Sequence, residues 1–351
     1  MEQLIQNSIQ LLKQLIEIPS FSREENHTAD AIEAHLRSFG VETKRSKNNI
    51  WAFNEAFDAA KPTILLNSHH DTVKPNKDYT RDPFQASEEQ GKFFGLGSND
   101  AGGCLVSLMG TFLHFYDKTD LKYNFCFLAS AEEEISGKEG IESVLPLLGD
   151  LDFAIVGEPT QMNLAIAEKG LMVLDCVAPG KSGHAAREEG ENAIYNAIED
   201  ILWFKNYRFP KESPTLGPIK MSVTLINAGT QHNVVPASCD FVVDVRTTDA
   251  YSNLEVLEII DGHTQSSVKA RSTRLNPSSI PVEHPIVQAG LALGRTTYGS
   301  PTISDQALLN IPSLKMGPGN SARSHMADEF IYIKEIEEAI PLYIKLLEAI
   351  L

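Results

Sequence analysis

Basic residues are scarce in this chain. Thirty lysines and arginines stand against 47 aspartates and glutamates among 351 residues, a formal net charge of −17 at pH 7. A surface of that sign repels phosphate, which argues against a nucleic-acid partner. Cysteine is scarcer still. Cys104, Cys126, Cys176 and Cys239 lie far apart, form no Cys-x-x-Cys pair and mostly have apolar neighbours, so they read as buried reduced thiols rather than a disulfide framework or a zinc knuckle. No apolar run is long enough to span a bilayer, which argues against a membrane partner. The N-terminal segment mixes Glu2, Gln3, Gln6, Asn7 and Gln10 with its apolar residues, the pattern of an amphipathic helix and not of a signal peptide. No Gly-x-x-x-x-Gly-Lys-Ser phosphate loop occurs, and no Gly-x-Gly-x-x-Gly follows the first strand, which removes an NAD-linked dehydrogenase. The expectation left is a soluble, cytoplasmic enzyme.

The chain is long for one core, so two domains are expected. Leu4, Ile5, Ile9, Leu12 and Ile16 share one helical face, and Pro19 ends that helix. A second helix from about Glu24 to Phe39 stops at Gly40. From Ile50 to Ala167, apolar runs alternate with helical stretches such as Gly102 to Tyr116, the pattern of an α/β fold: a mixed, mostly parallel sheet flanked by helices. The texture changes after Lys169. Strands over Leu171 to Ala178, Ile219 to Ala228 and Val235 to Val245, with helices over Asn192 to Tyr207 and Ser252 to Ile260, describe a smaller inserted α+β domain. The expected division is 1–168 with 281–351 for the first domain and 169–280 for the insertion, and a last helix begins near Lys334.

Charged residues stand where the apolar runs end. Pro62 to Ser68 opens onto His69-His70-Asp71, Tyr123 to Ala131 onto Glu132-Glu133-Glu134, and Asp152 to Val156 onto Gly157-Glu158-Pro159. In an open α/β sheet the ligand lies outside the carboxyl ends of the strands, so these runs aim His69, Asp71, Glu133, Glu134 and Glu158 into one crevice. Imidazole mixed with carboxylate oxygen suits zinc, manganese or cobalt. His69 and Asp71 face the same way on an extended chain, and the carboxylate then orients the ring; His70 faces the other way and reads as structural. Asp100 sits in the turn Gly95-Leu-Gly-Ser-Asn-Asp-Ala-Gly-Gly103, either as the N-cap of the helix that follows or as a carboxylate bridging two cations. His325 lies in the loop Gly317-Pro-Gly-Asn-Ser-Ala-Arg-Ser-His-Met-Ala-Asp-Glu329. Each of these residues alone has an ordinary structural explanation, as a cap, a turn or a solvated acidic loop. Together they would all have to converge by accident.

The runs Ser68-His-His-Asp-Thr-Val73, Gly97-Ser-Asn-Asp-Ala-Gly-Gly103, Ser130-Ala-Glu-Glu-Glu134, Val156-Gly-Glu-Pro-Thr160, Gly183-His-Ala185, Asn233-Val-Val-Pro236 and Asp244-Val-Arg246, with the His325 loop, resemble the motifs of the M20 peptidase and deacylase family. They follow the family's order over nearly the whole chain. The resemblance implies two divalent metal ions, zinc with cobalt able to substitute: His69, Asp100 and Glu158 hold one, and Asp100, Glu134 and His325 the other. It implies Glu133 as general base, although the family's usual Asp-Glu-Glu stands here as Glu132-Glu133-Glu134, and Asp71 as the residue that orients His69. His184 is similar to the family's oxyanion-contacting lid histidine, and Asn233 and Arg246 to its substrate contacts. A homodimer formed through the inserted lid domain is implied as well.

The activity expected on that resemblance is hydrolysis of a small N-acyl amino acid, N-acetylornithine foremost, as in arginine biosynthesis. Desuccinylation of N-succinyl-citrulline, N-succinyl-ornithine or N-succinyl-diaminopimelate is the rival, with Arg323, Ser321, Ser324 or Lys181 available for the extra carboxylate. Asp305, with Ser304, either meets the substrate side chain or caps the helix after it. A dipeptidase of the same family and a non-catalytic metal-binding protein are the remaining readings.

Overall fold

The computed structural model describes residues 1–351. The chain divides into two compact units: Met1–Ile166 with Ser279–Tyr298 and Ser304–Leu351, and Ala167–Ser278 with Gly299–Ile303. The second unit therefore gains a short return segment beyond the insertion expected from sequence, where Ser300 O accepts from Lys169 N at 3.2 Å.

In the first unit the strand Thr63–His69 runs parallel to Asn124–Ser130 on one side and to Phe153–Val156 on the other. Ser313–Lys315 adds to Phe153–Val156, again parallel. Asn49–Phe53 pairs antiparallel with Asn124–Ser130 and carries the edge strand Lys44–Ser46, and Leu164–Glu168 pairs antiparallel with Ser313–Lys315, so the sheet is mixed, with three parallel pairings at its centre rather than the mostly parallel sheet expected. The three adjacent parallel strands are buried along their whole length, which is why they read in sequence as apolar runs without alternation. On one face the helix Gly103–Phe115 lies between Glu2–Ile16 and Ile333–Glu348 and is apolar nearly all round. On the other face Trp51, Leu65, Leu128 and Val156 pack with Ile141 and Val144. The helix Asn26–Ser38 ends as expected, with Gly40 at φ +77°.

This register positions the site. His69 stands opposite Ser130, and Asn67 opposite Val156, so the three parallel strands finish side by side. The turns that follow them start from one edge.

The second unit is a four-stranded antiparallel sheet in the order Lys220–Ala228, Ser238–Thr247, Gly170–Pro179, Ser267–Ala270. Met172, Leu174, Cys176, Phe241, Val243 and Val245 alternate onto one face and bury against residues of the helices Ala193–Asn206 and Asn253–Asp261. The strand expected from Val235 begins later, at Ser238. Val234–Val235 pairs instead with Gly183–His184, and Pro236, which has no N–H to give a ladder, separates the two. All four cysteines are buried and free. No helix is long and apolar enough to cross a membrane.

Asp200, buried on the helix Ala193–Asn206, accepts from Gln265 N at 3.1 Å and from Ser266 N at 2.8 Å, tying that helix to the strand beginning at Ser267. Asp200→Ala leaves the buried amide and hydroxyl of Ser266 without this acceptor. It should lower the stability of this unit by about 1–3 kcal/mol in urea unfolding; an unchanged midpoint would contradict the assignment.

Candidate functional site

His69 ends its strand fully buried, with Nδ1 3.0 Å from the carbonyl oxygen of Asp71 and 3.4 Å from its carboxylate. Both groups are acceptors, so Nδ1 carries a proton and Nε2 is the nitrogen that faces the cleft. Nε2 lies 3.4 Å from Asp100 Oδ1, 3.6 Å from Glu158 Oε1 and 4.0 Å from Glu133 Oε2. On the far side, His325 Nε2 is 3.0 Å from Glu134 Oε2 and 3.6 Å from Asp100 Oδ2. Asp100 thus turns one oxygen to each histidine. The ligand atoms of His69, Asp100 and Glu134 all lie within 4.8 Å of one another, as do those of His69, Glu133 and Glu158. His70, by contrast, points away to Thr28 Oγ1 and the carbonyl of Asn48.

The turns reach these positions because buried acceptors hold their backbones. The Asp71 carboxylate takes the amides of Glu133 and Glu134 at 3.0 and 3.2 Å and the Ser22 hydroxyl at 2.6 Å, in addition to lying beside His69. Glu132 adopts a left-handed conformation, φ 56°, that turns its side chain away from the cleft toward Arg23, 3.8 Å distant. Of the three adjacent glutamates, only Glu133 and Glu134 face the histidines. Asp100 does not cap the helix Gly103–Phe115, whose N-cap is Gly102; the peptide bond between Asp100 and Ala101 is cis.

Three carboxylates that support the site are invisible as such in the sequence. Glu329 Oε1 accepts from the amides of Asn99 and Asp100 at 2.8 and 2.9 Å, and Oε2 from Gly97 at 3.2 Å. Glu25 accepts from Arg23 N, Asn48 Nδ2 and Glu132 N. Asp305 is buried and accepts from Asn67 Nδ2 at 2.9 Å and Ser130 Oγ at 2.6 Å, while the Ser304 side chain caps the short helix Asp305–Leu308. The expectation that Asp305 meets a substrate side chain is corrected to this structural role. Arg323 is likewise occupied: it forks onto Glu335 at 2.7 and 3.2 Å and stacks on Phe330 and Tyr332. Ser324 bonds to Asn99. Glu329 and Glu25 have no sequence signal, because the site segments they hold, Gly97–Asp100 and Glu132, lie far away in the chain and are held through backbone amides.

The electrostatics of the cluster are one-sided. Burial opposes charging His69, yet Glu133, Asp100 and Asp71 outweigh it and hold the ring's pKa well above the usual imidazole range. Burial raises the Glu133 carboxyl well above its ordinary value; His69 opposes this, and the charges of Glu158, Asp305 and Glu134 add to it. The hydrogen bond that His325 gives to the Glu134 carboxylate lifts its pKa to about 9. Burial, with Asp100 nearby, pushes Glu329 up to about 8 against the pull of its three amide donors. Five carboxylates, Asp71, Asp100, Glu133, Glu134 and Glu158, converge on two imidazoles, so negative charge is in excess even with both rings protonated. An arrangement of this kind could hold cations.

His184, Asn233 and Arg246 belong to the inserted unit. His184 lies opposite Val234 in a short antiparallel bridge, and the carbonyl of Asn233 accepts from Ala185 N at 3.0 Å, so these two stand together. Arg246 stands on the strand Ser238–Thr247 and forks onto Asp244 through Nε and Nη2 at 2.9 and 3.1 Å.

A profile of the Peptidase family M20/M25/M40 matches residues 65–349. The chain belongs to this family. As an M20 protein it is a metallohydrolase that acts on amide bonds. It is similar to the acetylornithine deacetylase of Proteus mirabilis (strain HI4320), with 29% identity over 374 residues, 97% of this chain and 96% of that one. It is also similar to the succinyl-diaminopimelate desuccinylase of Maricaulis maris (strain MCS10), with 24% identity over 375 residues, 97% and 95% of the two chains. Among solved structures it shares the fold of the YXEP protein of Bacillus subtilis, a dinuclear metal-binding peptidase from the M20 family, at TM-score 0.76 and 19% identity, covering 100% of this chain and 99% of that one. The aminopeptidase PepT from Bacillus cereus matches at TM-score 0.77 and 16% identity, covering 99% and 98%.

Gly317 tests how tightly the Glu158 turn is packed in this M20 chain. A Cβ there would stand 2.5 Å from the Glu158 carbonyl oxygen and 2.6 Å from Cys104 Sγ. Because one neighbour is backbone, Gly317→Ala should cost about 1–3 kcal/mol in urea unfolding, and a wild-type midpoint would show that the turn yields freely.

Proposed function

We propose that this M20 protein removes the acyl group from a small N-acyl α-amino acid, N-acetylornithine or a close relative, using two divalent metal ions. The observation that carries the reading is the Asp100 carboxylate, with one oxygen toward His69, which also neighbours Glu158, and the other toward His325, which also neighbours Glu134. The donor set of imidazole nitrogen and carboxylate oxygen fits zinc, with cobalt able to replace it. His69, Asp100 and Glu158 would hold one ion, and Asp100, Glu134 and His325 the other. When bound, the ions supply Lewis-acid activation of water and of the acyl carbonyl.

The chain's own residues carry the proton. Glu133, its amide fixed by Asp71 and its carboxylate beside His69, takes a proton from the attacking water and returns it to the departing amine. Asp71 keeps His69 in the tautomer that leaves Nε2 free. His184 donates to the oxyanion that develops on the acyl carbonyl oxygen. Asn233 contacts the substrate and Arg246 binds its α-carboxylate, a role suited to a guanidinium whose Nε–Nη2 edge is already fixed by Asp244.

A desuccinylase is the second reading, and cations of the inserted unit favour it. Lys220 stands directly opposite Arg246 in the strand register, so beside the Asp244 carboxylate that Arg246 already engages the pair carries one further cation. Burial, with the charges of Lys220 and Arg246, lowers the pKa of Lys169. A substrate with a second carboxylate would suit this group.

The same unit supports a homodimer. Lys220–Ala228 is an edge strand with Leu225 and Ile226 64% and 55% exposed, and the neighbouring helix Ala193–Asn206 leaves Tyr195, Ile198 and Leu202 exposed on one side. Two such edges related by a two-fold axis complete each other's sheet and cover both stripes.

Glu133→Gln should bind cobalt as the wild type does yet lose turnover by roughly 100-fold to 10,000-fold, while Glu132→Gln stays active; the reverse pattern would place the base one residue earlier. With zinc or cobalt added, kcat/KM for the N-acetyl and N-succinyl forms of ornithine, citrulline and diaminopimelate identifies the acyl group. The acetyl forms should lead, and a preference for the succinyl forms would move the assignment to the second reading. Light scattering should report a dimer that Ile226→Lys dissociates, and a monomeric wild type would refute the paired edges.

A further inference from the structure

Glu329 has no part in the chemistry proposed above, yet it is among the least exposed charged residues, at 2%. Its carboxylate accepts only backbone amides, those of Gly97, Asn99 and Asp100, at 3.2, 2.8 and 2.9 Å. Its carbonyl accepts from Gly95 N at 3.0 Å, so it grips the turn on both sides of Gly97. The residue itself is held firmly. It immediately precedes the strand Phe330–Tyr332, which pairs with Lys92–Phe94, and it follows Asp328, whose carboxylate accepts from the amides of Thr80 and Arg81 at 2.9 Å each. Four residues upstream, on the same loop, is His325. Glu329 therefore fixes two loops to each other, one ending in Asp100 and one carrying His325, across 229 positions of sequence.

We propose that Glu329 is a positioning residue that sets where the Asp100 carboxylate stands between His69 and His325, and thereby sets the affinity of the centre for its metal ions. The inference rests on the reading that Asp100 is shared by two ions. Asp100 N is one bond from its Cα, and the two carboxylate oxygens lie 3.4 and 3.6 Å from the two histidines, so a small displacement of the turn unbalances the two sides. Backbone amides donate to whatever acceptor is offered, and only a carboxylate offers acceptors to all three. Glutamine in this place keeps an oxygen for Asn99 and Asp100 but turns an N–H toward the N–H of Gly97. The turn would then be released at one end while its volume stays the same.

The test is a cobalt titration, followed by visible absorption and calorimetry, of metal-free wild type, Glu329→Gln, Glu329→Ala and Asp100→Asn, together with thermal unfolding of each metal-free protein. Glu329→Gln should remain folded, bind cobalt roughly 10-fold to 100-fold more weakly, and lose kcat with KM little changed; Glu329→Ala should be more severe. If Glu329→Ala fails to fold, the glutamine variant decides alone. Wild-type cobalt affinity in Glu329→Gln overturns the proposal, as does a lower unfolding temperature of the metal-free protein with no change in metal binding. A wild type that binds no cobalt, or an Asp100→Asn variant that binds it normally, refutes the metal reading itself and this inference with it. Loss of binding in Asp100→Asn alongside normal binding in Glu329→Gln refutes only the role of Glu329.

Discussion

The site depends on backbone amides captured by buried carboxylates. Asp71 takes the amides of Glu133 and Glu134, Glu329 those of Gly97, Asn99 and Asp100, and Glu25 those of Arg23 and Glu132. Each captured segment is a turn outside the sheet, where no ladder fixes the chain. An amide buried without an acceptor costs on the order of 1–3 kcal/mol, so these turns have one low-energy arrangement available to them. The side chains that line the cleft inherit that precision from their own main chain.

This construction concentrates acid. Supporting carboxylates stand behind a first row of five, and only His69, His325 and distant cations offset them. A core of this sign resists folding on itself unless amide dipoles, imidazoles and bound cations share the charge. The same residues therefore serve stability and chemistry together. The sheet contributes direction: three parallel strands end abreast, and their carboxyl ends open on one edge.

The inserted unit is built on different terms. Its antiparallel sheet has one face packed against residues of its helices and an edge left open, and its polar residues face outward in regular alternation. His184, Asn233 and Arg246 stand on this unit, whose core is separate from that of the sheet carrying His69.

Much of this was legible in the sequence, for a physical reason. Strands buried on both faces must be apolar throughout, so Thr63–His69, Asn124–Ser130 and Phe153–Val156 announce themselves, and a charged residue directly after such a run stands at a strand end. That alone placed His69, Glu133, Glu134 and Glu158 near one another, and motif order added Asp100 and His325. The tertiary structure decided what no local pattern encodes. It turned Glu132 away through a left-handed backbone and kept Glu133 in the cleft. It moved the start of a strand from Val235 to Ser238 across Pro236, and it made Asp305 a buried acceptor for Asn67 and Ser130. Glu329 is the clearest case: its partners lie 229 to 232 positions away and are backbone amides, which every residue except proline carries, so no side-chain identity in the sequence marks them as partners.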